Sequence, residues 1–437
     1  MSDAHTAGPV VAVSGVGLVT PAGVGVEETW RRVCSGLPTA AEDPTLAGAP
    51  ITVSCRVHGF DPRRHVGGTR PSRHDRFTQF AVAAAREAIR DAALDPRTWD
   101  GARVAVVLAS AAGGVATYEE QHRKLLTTGH HTVSPLTLPS FLPNMAAGQL
   151  AIELGAHGPA LHTATACASG ASAIITAAGL LERGACDIVV AGGSDAMVTP
   201  LCVAGFAQAG ALSRRSDDPA GASRPFDAAR DGFVLAEGAG VLVLERAVDA
   251  AARRVSARAL LVGHGSSTDA HHAVAPRPDG RWLRDAMRQA LAGAGAAPAD
   301  VDHVNAHGTG TRLNDRTEAA VLRDLFPAGP SVTAAKGVTG HTMGAAGAIE
   351  AALTVLTVQR GIVPPTANFH RPDADTADID VVDDVARTQR VGLAVSNSCG
   401  FGGHNAVLAF APGSAAPSRG RSRPARSRHP TPSPDGL

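Results

Sequence analysis

Four short segments of this 437-residue chain carry side chains able to make or break bonds. The first is Thr165-Ala166-Cys167-Ala168-Ser169-Gly170, a thiol among small residues that runs directly into a helix-forming stretch, Ala171–Arg183. A sulfur at a strand-to-helix turn lies over the helix N-terminus. Free amides and the helix dipole there favour a thiolate, and the same amides can hold a developing oxyanion. The bland alternative is a cysteine acting as a small buried hydrophobe. The second segment, Asn305-Ala306-His307-Gly308-Thr309-Gly310-Thr311, puts a histidine and two hydroxyls just beyond a predicted strand. That is where α/β proteins place their sites, although a structural histidine in a turn reads equally well. In the third, Lys336 and His341 stand five apart among residues too small to solvate them, so burial would disfavour charge on both. In the fourth, Gly400 and Gly402 flank Phe401 between two predicted strands, giving a tight turn whose backbone approaches a ligand, or a plain glycine hairpin.

The elements that must position these groups alternate. Val10–Ser14, Val104–Leu108, Ile188–Ala191 and Gly240–Leu244 read as strands, whereas Phe77–Ala93 and Trp282–Ala292 have helical spacing. The apolar run Ala348–Val358, with Glu350 inside it, reads as a core helix. Such alternation predicts an α/β architecture with buried sheets. A weak internal echo accompanies it. Helix, strand and small-residue turn follow one another at Arg76–Gly114 and again at Leu283–Thr311, and the strand-turn Val11–Gly17 resembles Leu260–Gly265. This predicts two similar halves, residues 1–254 carrying the cysteine and 255–412 carrying the histidines and lysine.

Composition narrows the class. Apolar residues make up 44% of the chain and charged residues 18%, enough for a sizeable core. Forty basic and forty acidic residues cancel, which excludes a nucleic-acid-binding module or a membrane-surface protein driven by charge. The forty cations are 38 arginines and two lysines, Lys124 and Lys336. A lysine kept against that bias marks a place where a compact ammonium is needed. The six cysteines lack CxxC or ligand spacing, so they read as reduced thiols, and no metal site is expected. No signal peptide is evident. The uncharged stretch Gly158–Leu181 is long enough to span a bilayer but is too polar, so a buried core segment and a cytoplasmic protein are expected. The Pro/Ser/Arg-rich segment 413–437 cannot bury enough surface to offset its ordering entropy and is expected to be a disordered tail.

Taken together, the segments resemble the β-ketoacyl synthase family of the thiolase-like fold, from about Val10 to Phe410. The matching blocks come in family order: Thr165–Gly170, Arg224–Glu237, Asn305–Thr311, Lys336–Gly347 and Asn397–Asn405. The resemblance implies two similar α/β halves in an α-β-α-β-α layering. Decarboxylative condensation of a malonyl thioester with a Cys-bound acyl chain is the activity it implies. By the same resemblance Cys167 is the acyl-carrying nucleophile, while His307 and His341 support decarboxylation and hold the enolate. Lys336 organises the histidines. The amides of Cys167 and Phe401 form the oxyanion hole, with Gly400 beside them, and the Phe401 ring gates the acyl pocket. Thr309 and Thr311 hold the phosphopantetheine arm, which arrives on an acyl carrier protein, so no cofactor of the chain's own is implied.

Some positions depart from the family pattern. Cys399 stands where phenylalanine is common beside the gate, and Ala335 and Gly337 replace hydroxyl residues beside Lys336. Ala111 and Ala112 replace a bulkier residue that would floor the acyl pocket, which predicts a deeper or wider pocket at Ala112. The blocks Ser213–Phe226 and Pro276–Asp279 look most like polyketide ketosynthases. The expectation is therefore a polyketide-type enzyme, with fatty-acid elongation as the alternative. More distant readings are a non-decarboxylating thiolase-type or Cys/His hydrolase enzyme and a catalytically silent assembly subunit. Expected partners are an acidic carrier protein, facing Arg63, Arg64, Arg70 and Arg73, and a second subunit in a homodimer or a heterodimer with a related chain-length subunit.

Overall fold

Val104–Ala109 (VAVVLA) and Ile188–Ala196 are apolar runs of the kind buried on both faces, and they lie side by side in parallel, Val104 opposite Ile188. In the computed structural model, which describes residues 10–66 and 73–413, they belong to a twelve-stranded sheet. From one edge the strand order is Asp380–Val381, Ser331–Thr333, His303–Asn305, Ala394–Gly400, His404–Pro412 and Ala259–Thr268. It continues with Val11–Thr20, Glu237–Arg246, Ile188–Ala196, Val104–Ala109 and Ala160–Thr163, and Gly23–Val24 folds back on Val11–Thr20.

Outward from the middle, the pairing pattern repeats. From Val11–Thr20 the successive pairings are antiparallel, antiparallel, parallel, parallel. From Ala259–Thr268 the sequence is the same. The two middle strands, which echo each other in sequence, pair with one another antiparallel over Val11–Val13 and Ala259–Leu261.

The glycines in that echo read as turns in the sequence, and here the structure differs. Both strands run straight through them to Thr20 and Thr268. Each pair instead lets a helix lie against the strand: a Cβ at Gly15 or Gly17 would fall 2.0 or 1.9 Å from the Ala88 or Ala84 carbonyl oxygen. In the other wing a Cβ at Gly263 or Gly265 would fall 2.1 Å from the Ala290 or Ala286 oxygen. The helices so admitted are Arg76–Asp91 and Arg281–Gly293, each covering the outer face of its wing.

Two further helices lie between the wings. Ser169–Glu182 and Ala346–Arg360 pack on each other and on strands of both wings, and thirteen of the fifteen residues of the second are buried. A helix apolar all round has this position open to it and few others. The result is the expected mixed α/β layering of helix, sheet, helix pair, sheet, helix. The uncharged stretch at 158–181 resolves into the edge strand Ala160–Thr163, a turn and the start of the first of these helices. Among the described residues no helix is long and apolar enough to cross a membrane. Arg70 and the tail beyond Gly413 lie outside the described residues.

Candidate active site

Cys167 sits in the turn between the strand Ala160–Thr163 and the inner helix that starts at Ser169. The turn is sharp because Ala166 takes a left-handed backbone, φ 49°, a conformation that costs a residue with a Cβ about 1 kcal/mol or more. Ser169 bolts the turn closed: its hydroxyl donates to the Ala166 carbonyl at 2.6 Å and accepts from the Thr165 N–H at 2.8 Å. The hairpin tip at Phe401 leans on this turn. Gly400 lies so close that a Cβ there would fall 2.3 Å from the Thr165 carbonyl oxygen, and the Phe401 N–H donates to the Cys167 sulfur. The glycine at 400 is thus a close-approach residue.

Seven of the sequence candidates line one cavity: Cys167, His307, Thr309, Thr311, His341, Gly400 and Phe401. The two imidazole rings stand 5.5 Å apart, nearly perpendicular. Lys336 lies behind His307, only 1% exposed. Its ammonium donates to the His307 carbonyl at 2.6 Å, faces His307 Nδ1 at 3.3 Å and pairs with Glu350. Three acceptors around one small cation explain why arginine, planar and larger, does not replace this lysine. Glu350 keeps one buried oxygen, Oε2, without a hydrogen-bond partner.

These contacts fix both histidine tautomers. The Lys336 ammonium has no lone pair, so His307 Nδ1 must accept and its proton lies on Nε2. The Met343 N–H donates to His341 Nδ1 at 3.2 Å, which likewise leaves the His341 proton on Nε2. Burial, and after it the Lys336 charge, hold both imidazoles well below the ordinary histidine value, so both are neutral. The site therefore offers two uncharged N–H donors.

The sulfur differs from expectation. A thiolate at rest was expected at the helix start, but burial pushes the Cys167 thiol up to about 12. The Lys336 charge and the Phe401 N–H pull the other way without overcoming it. Cys167 therefore rests as a thiol, and its proton must leave as a bond to carbon forms.

Several residues that hold the site were not singled out in the sequence. Helix Arg312–Leu325 turns two carboxylates back on the His307 loop. Glu318 accepts from the His307 and Gly308 N–H groups at 2.7 and 2.8 Å, and Asp315 accepts from those of Thr309 and Gly310 at 3.1 and 3.2 Å. Two acids three apart, just after the Thr309–Thr311 loop, were the available signal. The block Arg224–Glu237 underlies this loop: the Phe226 N–H donates to Asp315 at 2.7 Å, and the Phe233 ring meets His341 edge-on at 5.1 Å. The segment Asp269–Pro276 forms the cavity's opposite lip and is tied to the hairpin, with Asn405 donating to Asp269 at 2.9 Å and the Gly402 N–H to Ala273 at 2.7 Å.

Ala112 lies outside the cavity wall. It belongs with Ala111, Met197, Val198, Cys202 and Phe206 to an apolar shell around Cys167 and Met343. Cys399 is half-buried in the cavity wall, and burial raises its thiol well above the ordinary value. Arg63 and Arg64 are exposed on the single turn Pro62–His65, beside Asp61 at 3.5 and 3.7 Å, and Arg73 is exposed nearby in sequence. Among the described residues no group of three or more His, Cys, Asp or Glu is placed to hold a metal ion.

Comparison with known proteins agrees with this geometry. Residues 9–250 match the family model for the β-ketoacyl synthase N-terminal domain, and residues 258–370 match that for the C-terminal domain. The chain is 39% identical to 3-oxoacyl-(acyl-carrier-protein) synthase 2 of Staphylococcus aureus over 92% of this chain and 97% of the relative. Among solved structures, the ishigamide ketosynthase/chain length factor superposes with a TM-score of 0.87 at 32% identity, covering 93% of this chain and all of the other. A type II polyketide synthase acyl-carrier protein in complex with its ketosynthase bound to the hexaketide gives 0.84 at 31% identity, over 93% and 99%. The chain belongs to the β-ketoacyl synthase family and is an enzyme of the acyltransferase type.

Proposed function

We propose that this chain condenses a malonyl group carried by an acyl carrier protein with an acyl chain held on Cys167, in polyketide biosynthesis. Cys167 Sγ attacks the acyl thioester, the carrier thiol leaves, and the displaced proton passes to it. Malonyl thioester then loses carbon dioxide. The enolate oxygen that develops is met by the Nε2–H groups of His307 and His341, and the enolate carbon attacks the Cys167 thioester. A carbon–carbon bond forms, the carbon–sulfur bond breaks, and the departing sulfur takes a proton from solvent to return as the thiol. The Phe401 and Cys167 amides stabilise the tetrahedral oxyanion. Thr309 and Thr311, bonded to each other at 2.9 Å at the cavity lip, hold the pantetheine arm. The observation that carries this reading is the pair of neutral imidazoles with both protons on Nε2, sharing one cavity with a nucleophilic cysteine.

Residues 1–254 and 255–412 would be the two halves of the fold, working in the cytoplasm. Partners follow from the relatives. One neighbour is described with its carrier protein and another as a ketosynthase/chain length factor, so this chain's partners would be a carrier protein and either a second copy or a chain-length subunit. The edge strand Ala160–Thr163 suits such pairing, since it carries Leu161 at 38% exposure at the open end of the sheet. Fatty-acid elongation is favoured instead by curated relatives such as the Staphylococcus aureus synthase 2. What favours polyketide chains is the small side chain at Ala112, which leaves room in the apolar shell behind the cavity wall at Cys167. Ala112→Ile should therefore shift acyl preference on Cys167 toward shorter chains. Identical chain-length profiles for variant and wild type would remove that argument.

The test of the reaction is incubation with malonyl and acyl carrier proteins. Carbon dioxide release with a product longer by two carbons is expected. Product formation without carbon dioxide would point to a thiolase-type enzyme. No covalent adduct at Cys167 would point to an assembly subunit.

A further inference from the structure

Asp195 is the one wholly buried carboxylate of the strand Ile188–Ala196, and the reaction scheme above does not use it. Its oxygens accept from two separate parts of the site. Oδ2 accepts from the Ala111 N–H at 2.9 Å and also from the Gly344 N–H at 2.6 Å. Oδ1 accepts from the Ser110 hydroxyl at 2.5 Å, and the Ser110 oxygen in turn accepts from the Ala112 and Gly113 N–H groups at 3.3 and 2.7 Å. One side of this bridge is the turn that carries Ala111 and Ala112 in the apolar shell around Cys167. The other side is the loop in which Met343, at a left-handed φ of 53°, presents its N–H to His341 Nδ1. There is no slack between them: a Cβ at Gly344 would fall 2.5 Å from both Asp195 Oδ2 and the Ala111 nitrogen.

We propose that Asp195 is a positioning residue that ties the apolar shell around Cys167 to the loop setting the His341 tautomer. The inference rests on the condensing reading and says how that site is regulated. A chain that displaces the Ala111–Ala112 turn moves an oxygen shared with Gly344, and the adjoining Met343 N–H moves with it. An acyl chain pressing into that shell thereby bears on whether His341 presents its Nε2 proton. Loss of the bridge leaves two buried N–H groups unpaired and lets the Met343 loop drift.

Three proteins test this: wild type, Asp195→Ala and Asp195→Asn. The asparagine is the conservative variant, because its Oδ1 can take both N–H groups, while its Nδ2 meets Ser110 Oγ in exchange for the long 3.3 Å bond from the Ala112 N–H. Acylation of Cys167 is read by mass spectrometry, and carbon dioxide release from malonyl carrier protein is read separately. For Asp195→Ala, carbon dioxide release should fall about 10²-fold, the scale of a misplacement near 1 Å, with acylation within about threefold of wild type. Asp195→Asn should restore carbon dioxide release to within about threefold of wild type. Equal loss of both steps in Asp195→Ala, or an asparagine variant as poor as the alanine, overturns the proposal. If Asp195→Ala does not fold, hydrogen exchange of the wild type before and after acylation decides. Joint change in segments 110–114 and 341–345 supports the bridge, and change in one alone overturns it. A wild type that forms no adduct at Cys167 overturns instead the condensing reading beneath.

Discussion

Replacing Cys167 with alanine should abolish the covalent acyl adduct and lower condensation by roughly 10⁶-fold, the scale on which loss of a covalent nucleophile is felt. Two of the six cysteines, Cys167 and Cys399, line the cavity with both imidazoles, and Cys167 is the one in a turn bolted by Ser169 and touched by the Phe401 N–H. Cys399 shares the cavity wall, but burial raises its thiol well above the ordinary value, and the carboxylates of Glu318 and Asp269 raise it further. The Lys336 charge and the Asn397 amide, 4.0 Å from its sulfur, pull the other way without overcoming this. Intact-mass measurement after incubation with acyl carrier protein checks the result. The variant should still release carbon dioxide from malonyl carrier protein, because in the proposed reaction the imidazoles act on the malonyl thioester and not on the sulfur. An acyl adduct on the alanine variant would place the nucleophile elsewhere.

Much of this site was legible because its chemistry is local in sequence. Cys167, His307, His341 and Phe401 each stand among small residues, and the turns they occupy are short. Lys336 was legible for a different reason: one of only two lysines in an arginine-rich chain invited an explanation, which the three acceptors around its ammonium supply. The strands and helices were legible in kind, most of them shorter than they are. Val10–Ser14 becomes Val11–Thr20 because Gly15 and Gly17, which look like a turn, are contact points for a helix some seventy residues away. Long-range partners were what the sequence concealed. Asp195 meets Ala111 and Gly344 from a third segment, and nothing near it in sequence announces the meeting. The protonation of Cys167 was misjudged for the same reason. Helix-start amides are visible in a sequence, whereas the burial that outweighs them is a property of the assembled layers.

The other large effect falls on decarboxylation. His307→Ala and His341→Ala should each lower carbon dioxide release by about 10²–10³-fold, as expected when one preorganised donor to a developing oxyanion is lost. Acylation of Cys167 should survive both changes far better, since the Phe401 amide that touches the sulfur is untouched. The pH dependence separates this account from one in which an ordinary histidine acts. In the proposed reaction the neutral imidazole is the active form, and it is lost by protonation as pH falls. Burial and Lys336 place that protonation well below 6.5 for both rings. Decarboxylation should therefore stay level from pH 7.5 down past 6.5, where an unperturbed histidine would already be half protonated. Glu350, which burial raises to about 7, does not reverse this. Taking up a proton there removes a negative charge beside Lys336, leaves the ammonium's field less compensated, and so disfavours positive charge on the imidazoles further. A rate that halves at pH 6.5 would mean that the two rings sit in water, outside the field of the buried ammonium.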